Sequence, residues 1–201
     1  KLVLLNSFLL FFVSCKNLEK NSIQGAVVSA REEASKIGVE ILKKGGNAFD
    51  AMVATSFALT VVFPNAGNIT GGGFMVYRTL KGDIGSLDYR ETAPLSSSEK
   101  MYLDEHGEAN KDLSRTGGLA VGIPGSVAGI LKVHEKMGSL PLKDLIQPSI
   151  ELAKRGFVVT EKQAQSLNSK RDEFVKVNGK NTFYAKIFNS GDTIKNPNLA
   201  R

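Results

Sequence analysis

The 201-residue chain is 42% hydrophobic and 23% charged, with a formal net charge of +6. That is the composition of a globular domain with room for a sizeable core, not of a disordered chain. Its basic residues are scattered without a run of five or more, which excludes a nucleic-acid footprint and leaves the charge to solubility and attraction to anionic surfaces.

Residues 2–13, LVLLNSFLLFFV, are almost wholly apolar and follow a lysine. As a helix they span only about 18 Å, against roughly 30 Å for a hydrocarbon core, so the length fits the apolar region of a secretory signal rather than a membrane span. Ser14 and Cys15 come next, and Cys15 is the single cysteine, so no intrachain disulfide can form. A hydrophobic run ending in VSC resembles the lipobox of bacterial lipoproteins, in which the cysteine is lipidated and becomes the mature N-terminus. Phe12 departs from that pattern, which prefers leucine there. The other reading is a free cysteine beside an ordinary cleavage site. Both readings export the chain, and the lipobox adds a periplasmic, membrane-anchored location. The expected organisation is a signal and lipobox over 1–15, a polar tether over 16–24 (KNLEKNSIQ), and a folded domain from 25 to 201.

Along that domain, AVVSA at 26–30 reads as a short strand, and 31–44 reads as an amphipathic helix stopped by Gly45 and Gly46. Asn47 is a good N-cap with Asp50 in the place of a capping-box acid. The following run, AFDAMVATSFALTVVF, is small or apolar on nearly every face, which predicts a helix buried within the fold and ended by Pro64. Residues 74–80 and 84–91 read as a β-hairpin turning at Lys81-Gly82-Asp83. Residues 95–118 are polar and loop-rich. Helices are predicted from Ser126 to about Met137 and over 142–155, the latter open to being split by Pro148. Residues 161–184 read as helical or irregular.

Few residues look chemically equipped. Gly71-Gly72-Gly73 lacks a following Gly-Lys-Ser/Thr and enters a strand, so it reads as room for close backbone approach or positive φ rather than as a phosphate loop. His106 and His134 lie far apart, in a polar loop and on a surface helix, without a metal-spaced partner or a nucleophile elbow. Asp50 reads as a cap acid, and Ser29, Thr55 and Ser56 as packed small polar residues. Arg90 is the exception. In GSLDYRETAP, Leu87 and Tyr89 share one strand face while Asp88 and Arg90 share the other, just before Ala93-Pro94 turns the chain. A guanidinium there can grip a carboxylate with two hydrogen bonds, or pair locally with Asp88 or Glu91, and the local sequence leaves both open.

Three ordered motifs, AGNITGGGFMVYR, LDYRETAP and SRTGGLAVGIPGSVAG, together with AREEASKIGVEILKKGGNAFDAMVATSFALTVVFP, resemble the N-terminal half of the large subunit of the γ-glutamyltransferases. The resemblance spans residues 25–201. It implies an α+β fold, the αββα sandwich of the N-terminal-nucleophile hydrolases, incomplete in this stretch. It also implies a precursor that cleaves itself, so that the new N-terminal threonine of the small subunit attacks γ-glutamyl amides such as glutathione, with its own α-amine as base and no metal or other cofactor. The arginine of the motif matching Asp88–Pro94, here Arg90, would bind the α-carboxylate of the γ-glutamyl group. The threonine, the oxyanion-hole glycines and the acid that binds the α-amine would lie in the small subunit, so no catalytic residue is expected within 1–201 and this stretch alone should be inert. The expected partners are γ-glutamyl small molecules, the small subunit and, through Cys15, the membrane. A related cephalosporin or glutaryl acylase and a non-catalytic exported solute-binding lipoprotein are the alternatives.

Overall fold

The computed structural model describes residues 25–67 and 69–201, so Cys15 and the expected signal and tether lie outside the described residues. Helix α2 (Ala48–Val62) is the axis of the fold and packs against α1 (Glu32–Lys43), α3 (Ser126–Met137) and α4 (Leu142–Arg155). It serves two hydrophobic clusters. One joins its Ala58, Val61 and Val62 to Leu152, Phe157 and Leu167; the other joins Val53 and Ala54 to Ile41, Ile130 and Leu145. A helix shared between two cores needs apolar residues on every face, and its alanines let the neighbouring helices approach. The closest approach is at Gly38 of α1, where a Cβ would overlap the Thr55 hydroxyl and lie 2.8 Å from Val27 Cγ1.

The start of α2 is held by a full capping box. Asn47 Oδ1 accepts from Phe49 N at 2.8 Å and Asp50 N at 3.0 Å, and Asp50 Oδ2 accepts from Asn47 N at 2.9 Å. The same carboxylate reaches across to the loop after α3, accepting from Ser139 N at 2.9 Å, Ser139 Oγ at 2.5 Å and Leu140 N at 3.3 Å. Asn47 Nδ2 adds a bond to the Met137 carbonyl at 2.8 Å. Burial pushes the Asp50 carboxyl up, but the hydrogen bonds from Ser139, Asn47 and Leu140 outweigh it and leave the carboxyl below the ordinary aspartate value.

Strands β1 (Phe74–Arg78) and β2 (Ile84–Asp88) form the predicted antiparallel hairpin, in register from Phe74 opposite Asp88 to Arg78 opposite Ile84. Their inner residues, Met75, Tyr77 and Leu87, are half-buried, and Tyr77 meets Phe49 edge-on at 5.6 Å between ring centroids. A second two-stranded ladder pairs β3 (Phe157–Val158) with β4 (Thr193–Ile194). Between these strands lie α5 (Glu161–Ser169), capped by Thr160 and Gln163, and α6 (Arg171–Asn178). Gln163 ties α5 to α2 by donating to the Val62 carbonyl at 2.7 Å. Gln163 also accepts from Arg31 at 2.6 Å.

One expectation is not met, and one question that the sequence left open is answered. Residues 26–30 are not a strand: no described strand lies beside them, Val28 is exposed, and an extended segment without a ladder partner remains coil. Pro148 does not split its helix: α4 runs unbroken from Leu142 to Arg155, as expected, and is ended by Gly156 at φ 90°. A proline removes one helical hydrogen bond, and the buried face of Leu145, Ser149 and Leu152 against α2 outweighs that loss. No helix among the described residues is long and apolar enough to cross a membrane.

Candidate functional site

The hairpin delivers Arg90 to a frame made almost entirely of backbone. Beyond the end of β2, Tyr89 is still paired with Gly73, with N–H to carbonyl distances of 2.9 and 3.3 Å. The chain then leaves the ladder, and the Asp88 carboxylate accepts from Arg90 N at 2.9 Å to make the turn. Two residues later Thr92 forms an antiparallel bridge to Ile123, with distances of 2.8 and 3.2 Å. Arg90 and Glu91 are therefore suspended between two paired positions. The preceding glycines close the frame: the Gly71 carbonyl accepts from both Gly125 N and Ser126 N at 2.9 Å, joining the start of α3 to the entry of β1.

The glycines work by close approach. A Cβ at Gly72 would lie 2.5 Å from Glu91 Oε2 and 2.8 Å from Arg90 Cα, and one at Gly73 would lie 2.9 Å from the Tyr89 ring. Neither residue has positive φ, so of the two roles expected for the Gly71–Gly73 run only the first is realised.

The Arg90 side chain is 60% exposed, on the strand face opposite the half-buried Leu87 and Tyr89, as the period of two predicts. Its Nε donates to Glu91 Oε2 at 3.2 Å, and the guanidinium lies over the Phe74 ring, 5.6 Å from its centroid. Among the described residues neither Nη atom has a hydrogen-bond partner. The local ion pair and the carboxylate grip are thus compatible. Glu91 and Phe74 orient the plane through Nε and one face, leaving the Nη edge open to a carboxylate. The Glu91 carboxyl is held below its ordinary value, first by its own backbone N–H and then, against some desolvation, by Arg90. Glu91 also lines a hollow of about 300 Å³, together with Thr92, Pro94, Ser97, Met101, Tyr102 and Val121.

The other candidates are placed elsewhere. His106 is exposed beside Glu105, and His134, half-buried rather than fully on the surface, bonds the Leu140 carbonyl through Nε2 at 2.8 Å. Ser29 bonds the Arg31 carbonyl and Ser35, each at 2.8 Å, and Ser56 bonds Met52 Sδ at 3.4 Å. Thr55 Oγ1 is buried between α1 and α2 and has no hydrogen-bond partner among the described residues. No three His, Cys, Asp or Glu side chains stand together as metal ligands among the described residues. Sequence reasoning missed the seat of Tyr89 on Gly125 and Gly129, whose signal was the GSVAG spacing that opens α3.

The family model for γ-glutamyltranspeptidase matches residues 34–201. The glutathione hydrolase proenzyme of Pseudomonas aeruginosa is 44% identical over 179 residues, covering 88% of this chain and 31% of that protein. The Escherichia coli glutathione hydrolase proenzyme is 41% identical over 182 residues, covering 89% of this chain and 31% of its own. The chain thus spans about a third of the length of these relatives. The crystal structure of Helicobacter pylori γ-glutamyltranspeptidase superposes with a TM-score of 0.85 at 40% identity, over 90% of this chain and 53% of that one. The fold is therefore part of the N-terminal-nucleophile hydrolase architecture expected from the sequence. The chain belongs to the γ-glutamyltranspeptidase family.

Proposed function

We propose that this chain contributes the substrate-anchoring part of an enzyme that transfers or hydrolyses the γ-glutamyl group of glutathione and other γ-glutamyl amides. The observation behind this reading is Arg90, braced by Glu91 and the Phe74 ring, with neither Nη atom hydrogen-bonded among the described residues. That open edge suits the planar, bidentate α-carboxylate of a γ-glutamyl group, while the amide to be cleaved extends away from it. In this reading the nucleophile is the N-terminal threonine of a small subunit cut from the same precursor. Its hydroxyl attacks the amide carbon while the α-amine takes the proton. The amine leaves, a γ-glutamyl ester remains, and water or an acceptor amine resolves it. Arg90 takes no part in the bond changes; it fixes the donor so that the amide meets the nucleophile. The apolar stretch at 2–13 and Cys15 support export to the periplasm with a lipid anchor at Cys15.

In the full-length enzyme, Arg90→Ala should lower kcat/KM for a γ-glutamyl anilide by roughly 2–5 kcal/mol, as for one side of a charged hydrogen-bonded pair removed. Self-cleavage into subunits should proceed as in the wild type. Equal turnover by both enzymes would overturn the assignment.

A further inference from the structure

The residue next to Arg90 is held in a way that local strand pairing does not require. A Cβ built on Gly129, in the first turn of α3, would overlap Tyr89 Cγ and lie 2.6 Å from Tyr89 Cβ. One built on Gly125 would overlap the Tyr89 carbonyl oxygen and lie 2.8 Å from the carbonyl carbon and 2.9 Å from the Arg90 carbonyl oxygen. On the opposite side the ring rests on Gly73, where a Cβ would come within 2.9–3.1 Å of Cε2, Cζ and the hydroxyl. Tyr89 therefore lies in a slot between glycines at both ends of its side chain, with Gly73, just before β1, at the ring tip and Gly129, in α3, at its root. The overlaps at Gly125 fall on the Tyr89 and Arg90 backbone, and those at Gly129 fall on Tyr89 Cγ, Cβ and Cδ1, of which Cβ is fixed to the main chain and cannot rotate away. A side chain at either position therefore presses on residue 89, and through it on the main chain that carries Arg90.

We infer that Gly125, Gly129 and Tyr89 are positioning residues for donor recognition: the first turn of α3 sets where the Arg90 guanidinium stands, and hence selectivity for donors bearing an α-carboxylate. This rests on the reading of Arg90 as the carboxylate ligand. The chemistry of the slot supports it. The Arg90 side chain is 60% exposed and, among the described residues, only its Nε and one face are engaged, so its placement comes mainly from the main chain beneath it. A bidentate contact tolerates displacements of only about half an ångström. A clamp on residue 89 is a direct means of meeting that tolerance.

The test uses the full-length enzyme and two donors, the γ-p-nitroanilide of glutamate and its α-carboxamide counterpart. Tyr89→Ala empties the slot and Gly129→Ala overfills it. Each should raise KM for the carboxylate donor about tenfold with kcat changed less than about threefold, and shrink the carboxylate-over-carboxamide preference toward that of Arg90→Ala. Gly118→Ala, where an added methyl meets open space, should keep wild-type values. Maturation into two subunits reports folding. If Gly129→Ala does not mature, Tyr89→Ala still decides the question. Failure of both to mature, or an equal loss toward both donors, would overturn the inference in favour of a purely structural role. Should Arg90→Ala abolish the preference while Tyr89→Ala and Gly129→Ala retain it, the clamp alone is wrong. Should Arg90→Ala itself keep the preference, the Arg90 reading falls and takes the clamp with it.

Discussion

Replacing Asp50 by alanine removes a carboxylate that is fully buried and accepts four hydrogen bonds, from Asn47 N, Ser139 N, Ser139 Oγ and Leu140 N. A hydrogen bond to a charged group contributes about 1.5–3 kcal/mol net, which would set an upper limit well above any realistic loss. Three corrections bring the figure down. The Leu140 contact is long at 3.3 Å. Ser139 is exposed, so its N–H and hydroxyl regain water once the carboxylate is gone. Asn47 keeps its own cap bonds to Phe49 and Asp50 backbone, so only the reciprocal half of the capping box is lost, for about 1 kcal/mol. What remains is about 3–4 kcal/mol for Asp50→Ala, about 2 for Asp50→Asn, which can keep the bonds at one oxygen, and about 1 for Ser139→Ala, which loses only the hydroxyl bond. Urea unfolding of the full-length protein measures these differences. Amide exchange at Ser139 and Leu140 locates them, because local opening of the α2–α3 clasp exposes those amides first. A cost below about 1 kcal/mol for Asp50→Ala, or exchange at Ser139 and Leu140 unchanged from wild type, would refute the role assigned to this carboxylate.

Acidification should act through the same group. The folded Asp50 pKa lies below its ordinary value of about 3.9, so the unfolded chain takes up the proton first; the stabilisation is complete above that value and is lost as pH falls through the folded pKa. The gap in thermal midpoint between wild type and Asp50→Asn should accordingly stay constant from about pH 8 to 5 and narrow below about pH 4, and a gap that widens on acidification would contradict the sign. Pro148 sits inside α4 without an N–H to offer the Asp144 carbonyl, so Pro148→Ala should stabilise by about 1 kcal/mol in urea unfolding. A loss instead would mean that packing of the pyrrolidine ring outweighs the restored bond.

The parts legible in the sequence were those whose causes are local. The Asn47–Asp50 box and the all-round apolar run behind it foretold both the start and the burial of α2. Alternation along Ile84–Arg90 foretold which face Arg90 would occupy. The parts that were not legible depend on distant partners. AVVSA has the composition of a strand, yet a strand exists only by its ladder, and no described strand flanks it. Pro148 argues locally for a break, and the decision came from the fit of α4 on α2. Around Arg90 the sequence could offer Asp88 or Glu91 as ion-pair partners. The fold separates their roles: Asp88 holds the backbone of Arg90, and Glu91 holds its Nε. The slot for Tyr89 was hidden for the same reason, since its far wall comes from residues some forty positions along the chain.

Helix α3 joins the two tied regions of this structure, and its ends are secured by different means. At its C-terminal end, about 18 Å away along the axis, the loop is fastened by side chains: Asn47 on the Met137 carbonyl, Asp50 on Ser139, His134 on the Leu140 carbonyl. At its N-terminal end the fastening is by glycine backbone, through the Gly71 carbonyl, Gly125 against the Tyr89 and Arg90 carbonyls, and Gly129 against Tyr89 Cβ and Cγ. Side-chain bonds to a buried carboxylate supply stability but leave sub-ångström freedom in where each partner sits. Backbone in van der Waals contact with backbone supplies little free energy, yet it admits almost no displacement because nothing can rotate out of the way. Stability and placement are therefore separable here. Loss of Asp50 loosens the far end of a helix whose near end is still wedged on Tyr89, whereas one methyl group at Gly129 leaves the buried carboxylate intact and presses on Tyr89 Cβ and Cγ, one residue before Arg90. The anchoring role proposed for Arg90, whose head group is exposed, calls for the second kind of support more than the first, and Gly73 just before β1 and Gly125 and Gly129 at the start of α3 stand where that support is required.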